Sequence, residues 1–376
     1  MHWTGTWTTA SAFIDGASLE NRTLRMLMRT SIAGKTLRLR LSNAHGTEPV
    51  TIAATSIALR SGETAEIHAA SSRKLTFGGE ASITIAAGAL VLSDPVELET
   101  PALADVAITM YVPGQVREIS GHKSARQISY VSPPGDYSAS VSMPVAEEVE
   151  SWYFVTCIEV VTPASTRGVV AMGDSLTDAN VSTPNSNSRW PDQLARRLVA
   201  ARGPDFAGVM NQGIGGNRIC FDGQADSGQK RFDRDVLAQP GVTHLLLLLG
   251  TNDLRNRRGA AHQEAQGAAL IAGLKQIGLR AKAAGLKAYV GTLMPYENEI
   301  FVPGCWTPAR ELVRQEVNSW IRRGEVFDAV IDFDKGLRDP ENPTKLLPQW
   351  DCGDHLHPSD AGYIHMGDVI DISLFE

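Results

Sequence analysis

The strongest constraint on the fold is a change of hydrophobic rhythm near residue 160. Upstream of it apolar and polar residues alternate, as in Thr36-Leu37-Arg38-Leu39-Arg40-Leu41 and Ala81-Ser82-Ile83-Thr84-Ile85-Ala86. Successive side chains on a strand point to opposite faces, so this alternation marks strands with one buried and one wet face. Turn-forming clusters separate the runs: Asn43-Ala44-His45-Gly46, Phe77-Gly78-Gly79, Ala87-Gly88, Ser93-Asp94-Pro95 and Pro133-Pro134-Gly135-Asp136. No long stretch of helical period interrupts them. The segment 1–160 therefore reads as an all-β, antiparallel sandwich, jelly-roll-like in its many short strands.

After Val161-Thr162-Pro163-Ala164 the rhythm differs. Gly168 to Met172 and Thr243 to Leu249 are short, almost wholly apolar runs, as expected of strands covered on both faces. Lys287 to Leu293 and Phe327 to Phe333 read as further strands. Trp190, Leu194 and Leu198 recur at helical spacing before Gly203-Pro204 ends the run. Helices are also expected over Gln263 to Ala284 and Pro308 to Arg322. Strand alternating with helix predicts an α/β domain over 165–376, a parallel sheet with helices on both faces.

A chain of 376 residues has room for two such cores. A formal charge of -7 and a pI near 5.8 give no basic face for nucleic acid. No stretch reaches the ~18 consecutive apolar residues of a membrane-spanning helix, so no integral membrane association is expected. The N-terminus, His2-Trp3-Thr4-Gly5-Thr6-Trp7, lacks the basic and apolar regions of a signal peptide. That leaves a cytoplasmic chain, or a secreted one whose leader has been removed. Four cysteines, Cys157, Cys220, Cys305 and Cys352, are too few for a disulfide scaffold. A Cys305–Cys352 bridge would brace the loop around Asp354; free thiols are the simpler expectation. Trp3 and Trp7 offer a platform for sugar stacking, but core packing is the simpler expectation there too.

In open parallel sheets functional groups collect beyond the carboxyl ends of the strands, and there this sequence places its unusual polar residues. The first strand of the α/β part ends in Gly173-Asp174-Ser175-Leu176-Thr177-Asp178. The second, near Val209, ends in Asn211-Gln212-Gly213-Ile214-Gly215-Gly216-Asn217, and the third in Gly250-Thr251-Asn252-Asp253. Near the C-terminus stands Asp354-His355-Leu356-His357-Pro358. Taken singly each has a plain structural explanation: a helix cap at Asp174-Ser175, a tight turn at Asn252-Asp253. The glycine-rich loop lacks the sixth-position glycine of a dinucleotide site. Asp354, His355 and His357 lack a further ligand at metal-site spacing, so no metal is expected. Together the blocks have a chemical logic. A serine hydroxyl needs a base to take its proton, and an imidazole oriented by a carboxylate is the usual device. Ser175, His357 and Asp354 supply that set. The oxyanion formed by attack on an ester needs donors, which the Ser175 N–H, the Gly216 N–H and the Asn252 amide provide.

With these blocks the chain resembles the SGNH hydrolases, also called GDSL lipases and esterases. Gly173-Asp174-Ser175-Leu176 matches the family's first block, and Gly216, Asn252 and Asp354-x-x-His357 match the others in order. The resemblance runs from about Gly168 to the C-terminus. It implies a flavodoxin-like three-layer domain, a serine esterase mechanism and no metal or organic cofactor. It also implies a looser turn at the serine than the Gly-x-Ser-x-Gly elbow, a motif missing here. One departure is Asp178-Ala179-Asn180, where many members carry Gly after that Asp; Asn180 is expected to line the pocket. The N-terminal part resembles the β-sandwich that precedes the hydrolase domain in one bacterial branch of lysophospholipase-like or carbohydrate-ester hydrolases, through Trp3-x-Gly5-Thr6-Trp7 and Leu41-Ser42-Asn43. The expected substrate is a small-molecule or carbohydrate ester with a short acyl group, such as acetyl. The alternatives are a lipase or lysophospholipase, and a non-catalytic carbohydrate-binding protein.

Overall fold

The computed structural model describes residues 2–15, 17–255 and 260–376, with the side chains of 260–265 left aside. Two compact units are present: Met1–Thr166 with Pro184–Asn187 and Leu198–Met210, and Arg167–Thr183 with Ser188–Arg197 and Asn211–Glu376.

The first unit is all-β up to Thr162. One antiparallel sheet orders the strands His2–Thr8, Val155–Thr162, Gly34–Ser42 and Val96–Thr100, with Leu90–Leu92 also paired to Gly34–Ser42. A six-stranded sheet orders Glu147–Val149, Ser129–Pro134, Arg22–Arg29, Asp105–Val112, Ala54–Leu59 and Arg73–Leu75. Leu37, Leu39 and Leu41 of the first sheet share one core with Leu24, Met26, Met28, Val106, Ile108 and Met110 of the second. That makes the unit a sandwich of facing sheets, as the alternating residues require. The opposite face of Gly34–Ser42 is also organised: Arg38 and Arg40 each meet the buried Glu159 carboxylate at 2.7 Å from the neighbouring strand. The Arg38 guanidinium lies over the Trp3 ring at 4.2 Å, and Trp7 is buried edge-on to Trp152, ring centroids 4.8 Å apart. Trp7 is thus a core residue, while Trp3 is half-buried with Arg38 over its ring.

A five-stranded sheet, within the second unit except for Ala207–Met210, has the strands β1 (Arg167–Gly173), β2 (Ala207–Gly213), β3 (His244–Leu248), β4 (Lys287–Gly291) and β5 (Ala329–Ile331), in the order 2-1-3-4-5. Pairs β1–β3, β3–β4 and β4–β5 are parallel. This is the flavodoxin-like order, and its switch point lies between β1 and β3, where the chain leaves the sheet in opposite directions. Every residue of β3 is buried, as a central strand covered by helices on both faces must be. The long helices Trp190–Arg202, Ala260–Ala283 and Pro308–Arg323 stand where the sequence periodicity put them. The last illustrates why: the Thr307 hydroxyl accepts from Arg310 N–H, Pro308 opens the first turn, and Gly324 closes the helix at φ 66°. Among the described residues no helix is long and apolar enough to cross a membrane.

Candidate active site

Strand β1 runs into a four-residue helix, α1 (Ser175–Asp178). Gly173 is required at the join, because a Cβ there would lie 2.0 Å from Thr177 Oγ1 and 2.6 Å from the Leu248 carbonyl. Asp174 caps the helix, its Oδ1 accepting from Leu176 N–H at 3.0 Å. The Asp174 cap thus sets Ser175 at the first position of α1, just beyond the carboxyl end of β1. Ala179 ends the helix in the left-handed region at φ 58°. That conformation costs an L-residue roughly 1–2 kcal/mol, which accounts for the glycine common there in the resembling family.

Ser175, His357 and Asp354 come together. His357 Nε2 lies 3.0 Å from Ser175 Oγ, and His357 Nδ1 lies 2.8 Å from Asp354 Oδ2. The other Asp354 oxygen accepts from Leu356 N–H at 2.8 Å and His357 N–H at 2.7 Å. With Asp354 ionised, Nδ1 carries the proton it donates, leaving the Nε2 lone pair toward the serine hydroxyl. All three residues are buried, each less than a tenth exposed. Burial alone would raise the Asp354 carboxyl, but the His357 ring and the backbone N–H groups outweigh it and bring it down to about 2. His355 stands apart, at φ 63°, with Nδ1 2.7 Å from Asp351 Oδ2.

Asn252 follows β3 across the switch point. Its Nδ2 donates to Asp174 Oδ2 and to the Asn217 carbonyl, both at 3.1 Å. The residue before Asn217 is Gly216, at φ 70°, so the loop after β2 is bonded beside Asn252 and Asp174. The same loop lies against α1, since a Cβ on Gly213 would fall 2.4 Å from Asp178 N. The Asp253 backbone N–H closes a turn on the Gly250 carbonyl at 3.1 Å, while its side chain reaches elsewhere. Its carboxylate accepts from Ile219 and Cys220 N–H, both at 2.9 Å, and so holds the glycine loop from the other side. Asn180 is half-buried with its carbonyl accepting from the Tyr363 hydroxyl at 3.0 Å.

Several contacts at this site have no signal in the sequence. Asp174 is buried beside Asn252; burial pushes its carboxyl up to about 6, against the lowering pull of Leu176 N–H and the His357 and Arg255 charges. Arg255 donates to Asn252 Oδ1 at 2.9 Å and to Glu299 Oε2 at 2.8 Å. Phe301 meets the His357 ring edge-on at 5.4 Å. All four cysteines are free, so the Cys305–Cys352 bridge is not formed; the Cys305 thiol instead donates to the Glu299 carboxylate.

Between about pH 7 and pH 5 the Asp354 carboxyl, held at about 2, stays ionised, while the Asp174 carboxyl, at about 6, takes up its proton. Ester turnover is expected to fall steadily over that range, as the carboxylate that accepts from Asn252 Nδ2 loses its charge. A pH–rate profile flat down to about pH 4 would contradict a role for ionised Asp174.

Residues 169–370, more than half of the chain, match the GDSL-like lipase/acylhydrolase family, and the chain belongs to that family. It is accordingly a carboxylic ester hydrolase with a GDSL fold. No curated protein matches the chain. Among solved structures it is similar to a GDSL-like lipase from Bacteroides thetaiotaomicron, with 18% identity and a TM-score of 0.41, over 57% of this chain and 91% of that one. It is also similar to an acetylxylan esterase from Geobacillus stearothermophilus, with 19% identity and a TM-score of 0.41, over 55% of this chain and 92% of that one.

Proposed function

We propose that the chain hydrolyses short-chain carboxylic esters, acetyl groups on carbohydrates included, with Ser175 as nucleophile, His357 as its base and Asp354 as the orienting carboxylate. The observation that carries this reading is the continuous chain from Asp354 through His357 to Ser175 Oγ, with links of 2.8 Å and 3.0 Å. Ser175 Oγ attacks the ester carbonyl while His357 Nε2 takes its proton. The same proton then goes to the departing alcohol, and a water activated by His357 releases the acid. The Ser175 and Gly216 N–H groups and Asn252 Nδ2 receive the oxyanion. Ser175 N–H belongs to the first turn of α1, where backbone donors have no intrahelical acceptor. Asn252 already serves two acceptors; an oxyanion is a stronger acceptor than a carbonyl, so its share grows as charge builds in the transition state.

Burial of Ser175, His357 and Asn252 favours a small acyl group. A second reading, a lipase or lysophospholipase, draws on Ile300 and Phe301, which are 61% and 53% exposed in the turn that reaches His357. A panel of chromogenic esters from acetate to dodecanoate, with acetylated xylo-oligosaccharides alongside, separates the two. The short-acyl reading predicts kcat/KM highest for acetate to butyrate and falling beyond. A steady rise with chain length would establish the lipase reading instead, and glycan binding without turnover of any ester would make the protein a binding module. We further propose that residues 1–160 and 165–376 are separate domains, the catalytic groups all lying in the second.

A further inference from the structure

We propose that Arg255, clamped by Glu299, is a positioning residue that fixes the Asn252 carboxamide as an oxyanion donor. This rests on the assignment of Asn252 to the oxyanion hole. A carboxamide is nearly symmetric in shape, and only its neighbours decide which end is oxygen and which is nitrogen. Guanidinium only donates, so Arg255 Nη1, 2.9 Å from Asn252 Oδ1, forces the oxygen toward itself and the N–H groups toward Asp174 and the Asn217 carbonyl. Rotated by half a turn, Asn252 would set its N–H groups against a cation and its oxygen against a carboxylate and a carbonyl.

Arg255 is itself held. Its Nη2 lies 2.8 Å from Glu299 Oε2, and the two side chains are 11% and 0% exposed. Taking a carboxylate wholly out of water costs several kcal/mol, and such pairs add little net stability over apolar residues of the same size. Their contribution is geometric: the fork of Arg255 has one arm on Asn252 and the other on Glu299. Glu299 is tied down in turn, accepting from Phe301 N–H at 2.9 Å and Val302 N–H at 3.1 Å. Ile300 N–H of the same turn donates to the Asp354 carbonyl at 3.3 Å. One buried pair thus joins the element that carries the oxyanion donor to the turn that rests on the base.

The test separates positioning from folding. Removing Arg255 alone would strand the Glu299 carboxylate, a loss able to unfold the loop, so the comparison uses Glu299→Gln as its reference. On that background Arg255→Met is measured with Asn252 intact and with Asn252→Ala, each variant by kcat, KM and melting temperature. Loss of one oxyanion donor should lower kcat roughly 10²-fold in Asn252→Ala, with KM within about threefold. Arg255→Met should lower kcat roughly tenfold, KM unchanged, when Asn252 is present, and less than about twofold once Asn252 is gone, because both changes remove the same interaction. Arg255→Lys in the native background keeps Glu299 paired but offers one ammonium in place of the fork; it should lower kcat at a near-native melting temperature. Equal losses from Arg255→Met in both Asn252 backgrounds, or no loss with Asn252 present, would overturn the proposal. Unchanged kcat in Asn252→Ala would bring down the underlying oxyanion assignment instead.

Discussion

Ser175→Ala is expected to lower ester turnover by roughly 10⁴–10⁶-fold and leave a folded protein. The size follows from the loss of the acyl-enzyme route. Without Oγ the first step becomes direct attack by water on an ester whose carbonyl still sits among the donors, so only binding and oxyanion stabilisation remain. The fold should tolerate the change. Ser175 Oγ is bonded to His357 Nε2, while capping of α1 rests on the Asp174 side chain, not on the serine. Steady-state rates and a thermal melt on the same sample check both halves; near-native turnover in the variant would exclude Ser175 as nucleophile.

His357→Ala should be about as damaging, because nucleophile and base act as one unit and losing either removes most of what both provide. Its structural cost is larger. Asp354 Oδ2 would lose its ring partner while Oδ1 kept the Leu356 and His357 N–H groups. The interaction that brings this buried carboxyl down to about 2 would weaken, so the carboxyl should titrate higher in the variant than in the native protein. Carboxyl titration by infrared or NMR spectroscopy, with rates on the same variant, reads both effects. A His357→Ala protein retaining a tenth of native turnover would exclude the imidazole as base.

What could be read from the sequence, and what could not, divides by the range of the interaction. Gly34–Ser42 announces itself because Leu37, Leu39 and Leu41 face the core while Arg38 and Arg40 face the other way. The neighbouring strand Arg22–Arg29 hides, because a second cluster around Leu27, Ala58, Ala107 and Tyr130 covers its outer face and erases the alternation. Arg25 on that strand is fully buried, its guanidinium donating to Thr109 Oγ1 at 2.9 Å and to the Val141 carbonyl at 3.0 Å, and no local pattern signals an arginine in such a place. Strands of three residues, such as Val50–Ile52, are too short to show a period. Three of the four blocks proposed as catalytic stood out because each follows a strand end, where functional groups collect in an open parallel sheet, and the fourth, Asp354-x-x-His357, follows no strand and stood out by residue type alone. Arg255 and Glu299 did not, since they meet across 44 positions and neither stands in a block with a chemical pattern. Asp174 was seen as a cap, and its second role beside Asn252 depends on a contact spanning 78 positions.

The central claim, that Ser175 is the nucleophile, is tested most directly by covalent labelling. A fluorophosphonate reacts when a serine oxygen displaces fluoride from phosphorus, with the hydroxyl proton passing to the base. Intact-mass and peptide mass spectrometry should find one phosphonyl group per chain, on the peptide holding Ser175, and none on Ser175→Ala. Stoichiometric labelling of another residue, or undiminished labelling of Ser175→Ala, would contradict the account.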